Sequence, residues 1–254
     1  MTRRTMDAAQ RIGRERDFHN QRFEDDSVRE QRVRKFYDAI SYGFELYRRR
    51  VREESADRVV LEYGCGAESL AFEIAATARQ VTGIDISDVA IHQAQNQLAQ
   101  YDLCNLKFVV DNAEDMRLAD QSIDVVAGSG IVHHLDIQRA MQELRRVLRP
   151  GGIAIFAEPM GHNPVVNWYR NRTPELRTPD EHPLLASDLR VMARGFKSAK
   201  VTYFGLVAPL LAFLTPEPKA EARLTRVVWW LDRMLCRIPL LHRYAWFCCV
   251  ELRA

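Results

Sequence analysis

The stretch Leu61–Leu70, LEYGCGAESL, decides the fold of this chain. Its pattern predicts the end of a buried strand, a turn at Gly64 and Gly66, and the start of a helix. The two glycines let the backbone turn sharply and approach a ligand closely. The free N–H groups of the helix that follows face the same place. Such a strand, glycine turn and helix are typical of a site for a nucleotide-like cofactor.

Strand and helix patterns alternate along the chain from Asp57 onward. Apolar runs predict seven strands, and helical patterns separate the first five; the runs are RVVLEYG, QVTGIDIS, LKFVVDNAE, SIDVVAGSG, IAIFAEP, SAKVTYFGL and RYAWFCCVELRA. This alternation predicts an α/β protein with a Rossmann-like, doubly wound and mostly parallel sheet. Ligands of such sheets bind beyond the carboxyl ends of the strands, near the switch in strand order.

The segments outside this alternation predict added elements. Residues 1–57 carry polar helical patterns and are predicted to form an N-terminal helical cap. Residues 58–254 are then the core, with an insertion at about 159–185 that is predicted to act as a substrate lid. A second, helical insertion is expected at about 207–240.

Composition limits the class of protein. The chain has 254 residues and a net charge of +2, which gives no electrostatic reason to expect a nucleic-acid partner. The five cysteines are scattered and favour a reduced, cytoplasmic compartment. The apolar run 204–214 is too short to be an integral membrane segment. A homo-oligomer formed through the N-terminal helices stays open.

Five motifs in order carry a resemblance to a known family. They are VLEYGCG, VTGIDIS, DNAEDM, SIDVVAGSGIVHHL and LRRVLRPGG. Together they resemble the class I S-adenosylmethionine-dependent methyltransferases, strongly over Asp57–Glu158 and weakly in the last third. The insertion resembles that of a bacterial branch of small-molecule methyltransferases. The resemblance implies a seven-stranded sheet with the last strand antiparallel, S-adenosyl-L-methionine as cofactor and S-adenosyl-L-homocysteine as product.

Residues at successive strand ends form the predicted cofactor site. Glu62 is suited to accept from the cofactor's ammonium group, Asp85 from both ribose hydroxyls, and Asn112 from the adenine amino group. Each has a structural alternative: Glu62 or Asp85 could cap a helix or turn, and Asn112 could close an Asx turn. The full predicted set is Glu62, Gly64, Cys65, Gly66, Asp85, Ile86, Asn112, Ala113, Glu114, Ser129 and Gly130.

A nicotinamide-dependent dehydrogenase is the alternative class of enzyme. It is disfavoured because the turn lacks a third glycine, and because Glu62 would crowd a pyrophosphate. Glu68 supports another alternative, a non-catalytic scaffold with a degenerate glycine loop. In a helix's first turn, however, its carboxylate would interact favourably with the helix dipole and point away from the ligand.

Three residues are candidates for proton transfer or charge stabilisation: His133 and His134 just after the fourth strand, and Glu158 at the end of the fifth. The insertion holds His162, Asn163, Asp180, Glu181 and His182, which could bind a divalent ion. A well-capped loop explains the same residues, so no metal is predicted.

The acceptor site is predicted from aromatic and polar residues of the cap and the insertion: His19, Tyr37, Tyr42, His162, Trp168, Tyr169 and His182. The predicted function is an S-adenosylmethionine-dependent methyltransferase of a small, mostly apolar acceptor, natural-product or lipid-like, with in-line transfer to O, N or C. An enzyme of the same fold doing other chemistry, such as cyclisation, is the remaining alternative.

Overall fold

The computed structural model describes residues 8–24, 34–67, 69–173, 178, 181–215 and 218–254. Glu68 and Asp180 lie outside these residues. The seven predicted strands form one sheet: β1 Val59–Tyr63, β2 Gln80–Asp85, β3 Leu106–Val110, β4 Ile123–Ser129, β5 Leu148–Pro159, β6 Ser198–Phe204 and β7 Phe247–Arg253. Their spatial order is β3-β2-β1-β4-β5-β7-β6, and β7 runs antiparallel to both β5 and β6. The predicted fold class is confirmed.

Helices cover both faces of the sheet. The ten α-helices with described bounds are α1 Ala8–Glu24, α2 Ser41–Ser55, α3 Ala71–Ala75, α4 Asp88–Leu98, α5 Ile137–Val147, α6 Pro164–Arg170, α7 Ala186–Ala193, α8 Leu211–Leu214, α9 Arg223–Leu235 and α10 Pro239–His242. Residues 34–39 are also helical, and short 3-10 turns span Val132–His134 and Ala208–Leu210.

Side-chain caps explain where two of the helices begin. The Ser87 hydroxyl accepts from the backbone N–H of Ala90 at the start of α4, and Asp136 accepts from Gln138 and Arg139 at the start of α5. Both caps follow a strand end or its loop. The caps therefore fix where the chain leaves the carboxyl edge of the sheet.

Alternate residues of the central strands point to opposite faces, and both faces are buried, as expected for a doubly wound sheet. On β1, Val60 belongs to one core cluster, whereas Leu61 and Tyr63 belong to the other. The first cluster also includes Tyr47 and Val51 of α2. Helix α2 therefore packs against the core through these residues.

The strand order reverses between β1 and β4, which leads to a crevice beyond their carboxyl ends. Helix α1 lies at this edge. Nη2 of Arg11 in α1 donates to both carboxylate oxygens of Glu114, at 2.6 and 2.5 Å. Asn20 donates to Asp88 at 2.8 Å. These contacts hold α1 over the crevice. Among the described helices, none combines the length and the apolar character needed to cross a membrane.

Candidate active site

A cavity of about 560 Å³ opens at the carboxyl edge of the sheet. Its walls come from the glycine turn after β1, the ends of β2, β3 and β4, helices α1 and α6, and the start of β7. The size falls within the range of small-molecule sites. Of the predicted cofactor residues, ten line it: Gly64, Cys65, Gly66, Asp85, Ile86, Asn112, Ala113, Glu114, Ser129 and Gly130.

The glycine turn has a backbone that only glycine adopts easily. Gly64 has φ +72° and Gly66 has φ +56°. The N–H groups of Gly64 and Cys65 both donate to the carbonyl of Ile84, at 2.9 Å each. A Cβ on Gly64 would lie 2.8 Å from the side chain of Ile131. The turn therefore needs both left-handed backbone and a missing side chain.

Replacing Gly64 by alanine should lower the free energy of unfolding more than the same change at Gly151. Gly151 also has a positive φ, of +81°, but a Cβ there would meet nothing within 4 Å. The control variant Gly151→Ala has the backbone strain without a clash. Gly64→Ala should therefore lower the free energy of unfolding by at least about 1 kcal/mol more, because its Cβ also meets Ile131. Urea unfolding of both variants measures the difference. Equal losses would show that Ile131 does not confine the turn.

Asp85 connects the glycine turn to helix α4. Its Oδ2 accepts from the N–H of Gly66 and its Oδ1 from the N–H of Ser87, both at 2.9 Å. Each carboxylate oxygen can accept a second hydrogen bond. Asp85 lines the cavity, beside the apolar side chain of Ile86. The residues present thus fit a ribose diol and an adenine ring.

Glu62 does not line the cavity, and its predicted contact with the cofactor's ammonium group stays a prediction. Its carboxylate accepts from the Ser69 hydroxyl and from the N–H groups of Leu70 (2.8 Å) and Ala71 (2.9 Å). It therefore holds the start of α3, which is the capping role that the sequence left open. Burial raises the pKa of Glu62 to about 7, although these three hydrogen bonds act in the opposite direction.

The raised pKa of Glu62 makes the stability of the fold depend on pH. A folded-state pKa near 7, above the ordinary value of 4.5, gives a contribution that is complete at low pH and is lost as pH rises through 7. Glu62→Gln mimics the protonated acid and does not lose stability in this way. Between pH 5 and pH 8.5, the free energy of unfolding of the variant should therefore rise relative to that of the wild type by up to about 3 kcal/mol. Urea unfolding at both pH values tests this; a gap that does not change with pH would contradict it.

The loop after β3 uses its polar groups internally. Asn112 Oδ1 accepts from the N–H of Glu114 at 3.0 Å, which closes the Asx turn that the sequence left open. The amide oxygen was predicted to accept from the adenine amino group, and it already has this partner. The Glu114 carboxylate holds Arg11, and Asp111 pairs with Arg117 at 3.2 Å. The Asn112 amide nitrogen and the backbone of Ala113 are left as the candidate contacts.

His133 and Glu158 form a buried pair behind the end of β4. His133 Nδ1 lies 2.8 Å from Glu158 Oε2, while Oε1 accepts from the N–H groups of Ile131 and Val132. Burial lowers the pKa of His133, although Glu158 acts in the opposite direction. His133 lines the cavity, but Glu158 is fully buried and does not. The predicted direct role of Glu158 stays a prediction, and in this arrangement its carboxylate contacts His133.

His134 points to helix α1. Its Nδ1 lies 3.2 Å from Oε2 of Glu15, and the same oxygen lies 3.5 Å from Nε2 of His19. All three residues line the cavity. His134 also stacks near His133, with ring centroids 4.2 Å apart. The cavity therefore carries two histidines from the 3-10 turn and one from α1.

Aromatic rings enclose the far end of the cavity. Tyr37 and Tyr169, both predicted, line it together with Phe44, Trp246 and Phe247. The ring centroids of Tyr37 and Trp246 are 5.3 Å apart, and those of Phe44 and Phe247 are 5.1 Å apart. This end suits an apolar molecule.

Four predicted acceptor residues do not line this cavity, and two of them are engaged elsewhere by hydrogen bonds. The Tyr42 hydroxyl donates to buried Asp232, and His162 Nε2 accepts from the N–H of Ala186 at 3.0 Å. Trp168 is 57% exposed and stacks under Arg172, and His182 is also exposed. Neighbouring Asn163 caps α6. None of the four predicted side chains forms part of the cavity wall.

Several cavity residues were not predicted from the sequence. Arg11 and Glu15 precede His19 at four-residue spacing, which places all three on one face of a helix. That spacing was the signal that could have found them. Glu181 and Arg170 of the insertion pair at 3.5 Å and also line the cavity. No local sequence pattern places Trp246 and Phe247 at the cavity, because their position depends on how β7 pairs with its neighbours.

Comparison with known proteins finds a family match in the central part of this chain. Residues 61–156 match a family described as a methyltransferase domain. A probable S-adenosylmethionine-dependent methyltransferase of Mycolicibacterium smegmatis is 33% identical over 116 residues, which cover 45% of this chain and 43% of that protein. A demethylmenaquinone methyltransferase of Chlorobaculum parvum is 33% identical over 153 residues, which cover 54% of this chain and 61% of that protein. The chain spans about half the length of these curated relatives.

A solved structure matches almost the whole chain. It is the complex between the Haloferax volcanii Trm112 methyltransferase activator and a putative methyltransferase, with a TM-score of 0.64 and 17% identity, covering 92% of this chain and 96% of that chain. At this identity the likeness concerns the fold alone.

The sheet order, the antiparallel β7 and the cavity beyond β1 and β4 define a Rossmann-like fold of the methyltransferase type. Over residues 61–156 the chain resembles the class I S-adenosylmethionine-dependent methyltransferase superfamily, which both the domain match and the relative of Mycolicibacterium smegmatis support. The cofactor of that superfamily is S-adenosyl-L-methionine, and the resemblance stated from the five motifs is confirmed.

Proposed function

We propose that this protein transfers a methyl group from S-adenosyl-L-methionine to a small, mostly apolar acceptor. The observation that carries the proposal is that two unlike groups of residues line one cavity. The glycine turn and Asp85, named here the polar half, lie at the switch in strand order, and the packed rings of Tyr37, Phe44, Trp246 and Phe247 are named the aromatic half. His133 lies on the wall of the same cavity, with Glu158 behind it.

The polar half would hold the cofactor. The close approach at Gly64 and Gly66 leaves room for the methionine part, and the free lone pairs of Asp85 suit the two ribose hydroxyls. The side chain of Ile86 gives an apolar surface for the adenine ring. The bound cofactor supplies an activated methyl group on a sulfonium, so the protein need only position the acceptor, exclude water and take up a proton.

His133 is the candidate base. Because Glu158 Oε2 accepts from Nδ1, the imidazole proton is held on that nitrogen and Nε2 is left as an acceptor. Both backbone N–H bonds to the other oxygen keep the Glu158 carboxylate in place. An acceptor hydroxyl beside Nε2 could give up its proton during transfer to oxygen.

The aromatic half would hold the acceptor. Tyr37, Phe44, Tyr169, Trp246 and Phe247 provide flat apolar surfaces rather than charged groups. Two relatives are named for quinones, the demethylmenaquinone methyltransferase and a 2-phytyl-1,4-naphtoquinone methyltransferase of Trichormus variabilis. A hydroxylated aromatic or quinol-like acceptor fits both the wall and the candidate base.

A panel of acceptors tests this proposal. The purified chain is incubated with S-adenosyl-L-methionine and with matched pairs of hydroquinones and phenols that differ only in carrying an apolar side chain. Release of S-adenosyl-L-homocysteine should require an acceptor, and members with the apolar chain should turn over faster. Turnover limited to charged acceptors would contradict the proposed class.

A further inference from the structure

A second group of side chains on the cavity wall has the composition of a metal site. Glu15 and His19 lie one turn apart on the same face of α1, and His134 ends the 3-10 turn that follows β4. One carboxylate and two imidazoles at such positions are a common ligand set for divalent first-row transition metals.

The distances between the donor atoms match those around an ion. Oε2 of Glu15 lies 3.2 Å from Nδ1 of His134 and 3.5 Å from Nε2 of His19, and the three donor atoms all lie within 4.8 Å of one another. With metal–ligand bonds of about 2.1 Å, ligand atoms are about 3.0 Å apart in octahedral sites and about 3.4 Å apart in tetrahedral ones. Small side-chain movements would bring all three onto one ion.

The buried donor atoms lack conventional partners. Glu15 and His134 are both more than nine-tenths buried. Within the described residues, no hydrogen bond of normal length and alignment reaches either Glu15 oxygen or Nδ1 of His134. The side chains of His134, His19 and Thr178 lie close enough to the Glu15 carboxylate to stabilise its charge in part, and a cation between these atoms would stabilise it more strongly.

Neighbouring contacts hold the ligands in place before any ion binds. Arg11, one turn before Glu15, pairs with Glu114 and donates to the backbone carbonyl of His134 at 3.2 Å. It therefore ties α1 directly to the turn that carries His134. Such support of the ligand positions is typical of metal sites.

A second possible set, made of His133, His134 and Glu181, is less suitable. Its donor atom on His133 is Nε2, which lies 3.9 Å from Oε1 of Glu181, a longer distance than either contact of Glu15. Glu181 also faces the guanidinium of Arg170 at 3.5 Å.

We infer that Glu15, His19 and His134 bind one divalent transition-metal ion of the zinc class. Magnesium is disfavoured because it prefers oxygen ligands and most of these donors are nitrogens. Three protein ligands leave at least one coordination position open, and the ligands line the cavity. A catalytic role for this ion rests on the proposed function. An acceptor that offers a hydroxyl or enol oxygen could occupy the open coordination position beside His133.

Metal titration of the full chain tests the inference without any methyl transfer. The purified protein is stripped with a chelator and titrated with Co²⁺, whose visible absorption reports the coordination, and then with Zn²⁺ in competition. The wild type should bind one ion per chain. His19→Ala and Glu15→Gln should each weaken binding by at least about 100-fold. His92→Ala, which removes an exposed histidine of α4, should bind as the wild type does.

Two results would overturn the site: no saturable Co²⁺ binding by the wild type, or unchanged affinity in both ligand variants. Far-ultraviolet circular dichroism checks that each variant is folded. Glu15→Gln keeps almost the same side-chain volume. Calorimetry of the wild type with S-adenosyl-L-homocysteine is run separately. This measurement tests the cofactor assignment independently of the metal titration, so a failure of one can be told apart from a failure of the other.

Discussion

Asp85→Ala should weaken binding of S-adenosyl-L-homocysteine by at least about 100-fold, which corresponds to about 2.7 kcal/mol. The carboxylate has one hydrogen bond to Gly66, one to Ser87 and remaining lone pairs, and the residue lines the cavity. Hydrogen bonds to a charged acceptor contribute about 1.5–3 kcal/mol each, so the loss of two ribose contacts accounts for the effect. Release of the glycine turn adds to it. Isothermal titration calorimetry measures the change.

Asp120→Ala is the matched control for this experiment. It also removes a carboxylate from a loop, but Asp120 is exposed and pairs with Arg146 at 2.8 Å, outside the cavity. Its affinity for S-adenosyl-L-homocysteine should stay within about threefold of the wild type. If Asp85→Ala binds S-adenosyl-L-homocysteine as tightly as the wild type does, the cofactor does not lie against the end of β2. The assignment of the polar half would then be wrong.

His133→Asn should lower kcat by about 10² to 10⁴-fold with an acceptor that gives up a proton. The asparagine amide can still donate to Glu158, so the local structure is kept while the proton acceptor is lost. Because His133 is assigned to the chemical step, the dissociation constant for S-adenosyl-L-homocysteine should change far less than kcat does. Release of S-adenosyl-L-homocysteine under saturating substrates measures kcat.

Glu158→Gln separates positioning from chemistry in the same assay. A glutamine would direct its amide N–H toward Nδ1 of His133, which moves the imidazole proton to Nε2 and blocks that nitrogen as an acceptor. Its loss of kcat should approach that of His133→Asn. His92→Asn is the control, since His92 lies on the exposed face of α4. Full activity of His133→Asn would show that transfer needs no base at this position.

The fold could be predicted because its signals are local. Each parallel strand is a short apolar run, and the following helices have clear caps or a Pro-Gly-Gly end, as at Ser87 and Arg149–Gly152. The packing of α2 is hard to predict because most of its charged residues are exposed and only a narrow stripe that includes Tyr47 and Val51 is buried. The division into a cap at 1–57 and lid insertions stays a prediction, although Val166 and Tyr169 of the first insertion line the cavity.

The site could be predicted only where a residue's position follows from its own strand end. Gly64, Gly66 and Asp85 are of this kind. At Glu62, the side chain can turn toward a ligand or toward the helix N-terminus, and the sequence does not distinguish these two directions. Trp246 and Phe247 reach the cavity because β7 pairs antiparallel with β5, so that Phe247 lies opposite Pro159 at the carboxyl edge. That register is a property of the whole sheet.

The most direct test of the central claim follows the methyl group itself. S-adenosyl-L-methionine with a trideuterated methyl group is incubated with the protein and the best acceptor of the panel, and both products are quantified by mass spectrometry. We expect an acceptor that carries all three deuterons and an equal amount of S-adenosyl-L-homocysteine. Conversion of the acceptor without label and without S-adenosyl-L-homocysteine, as in a cyclisation, would contradict the account.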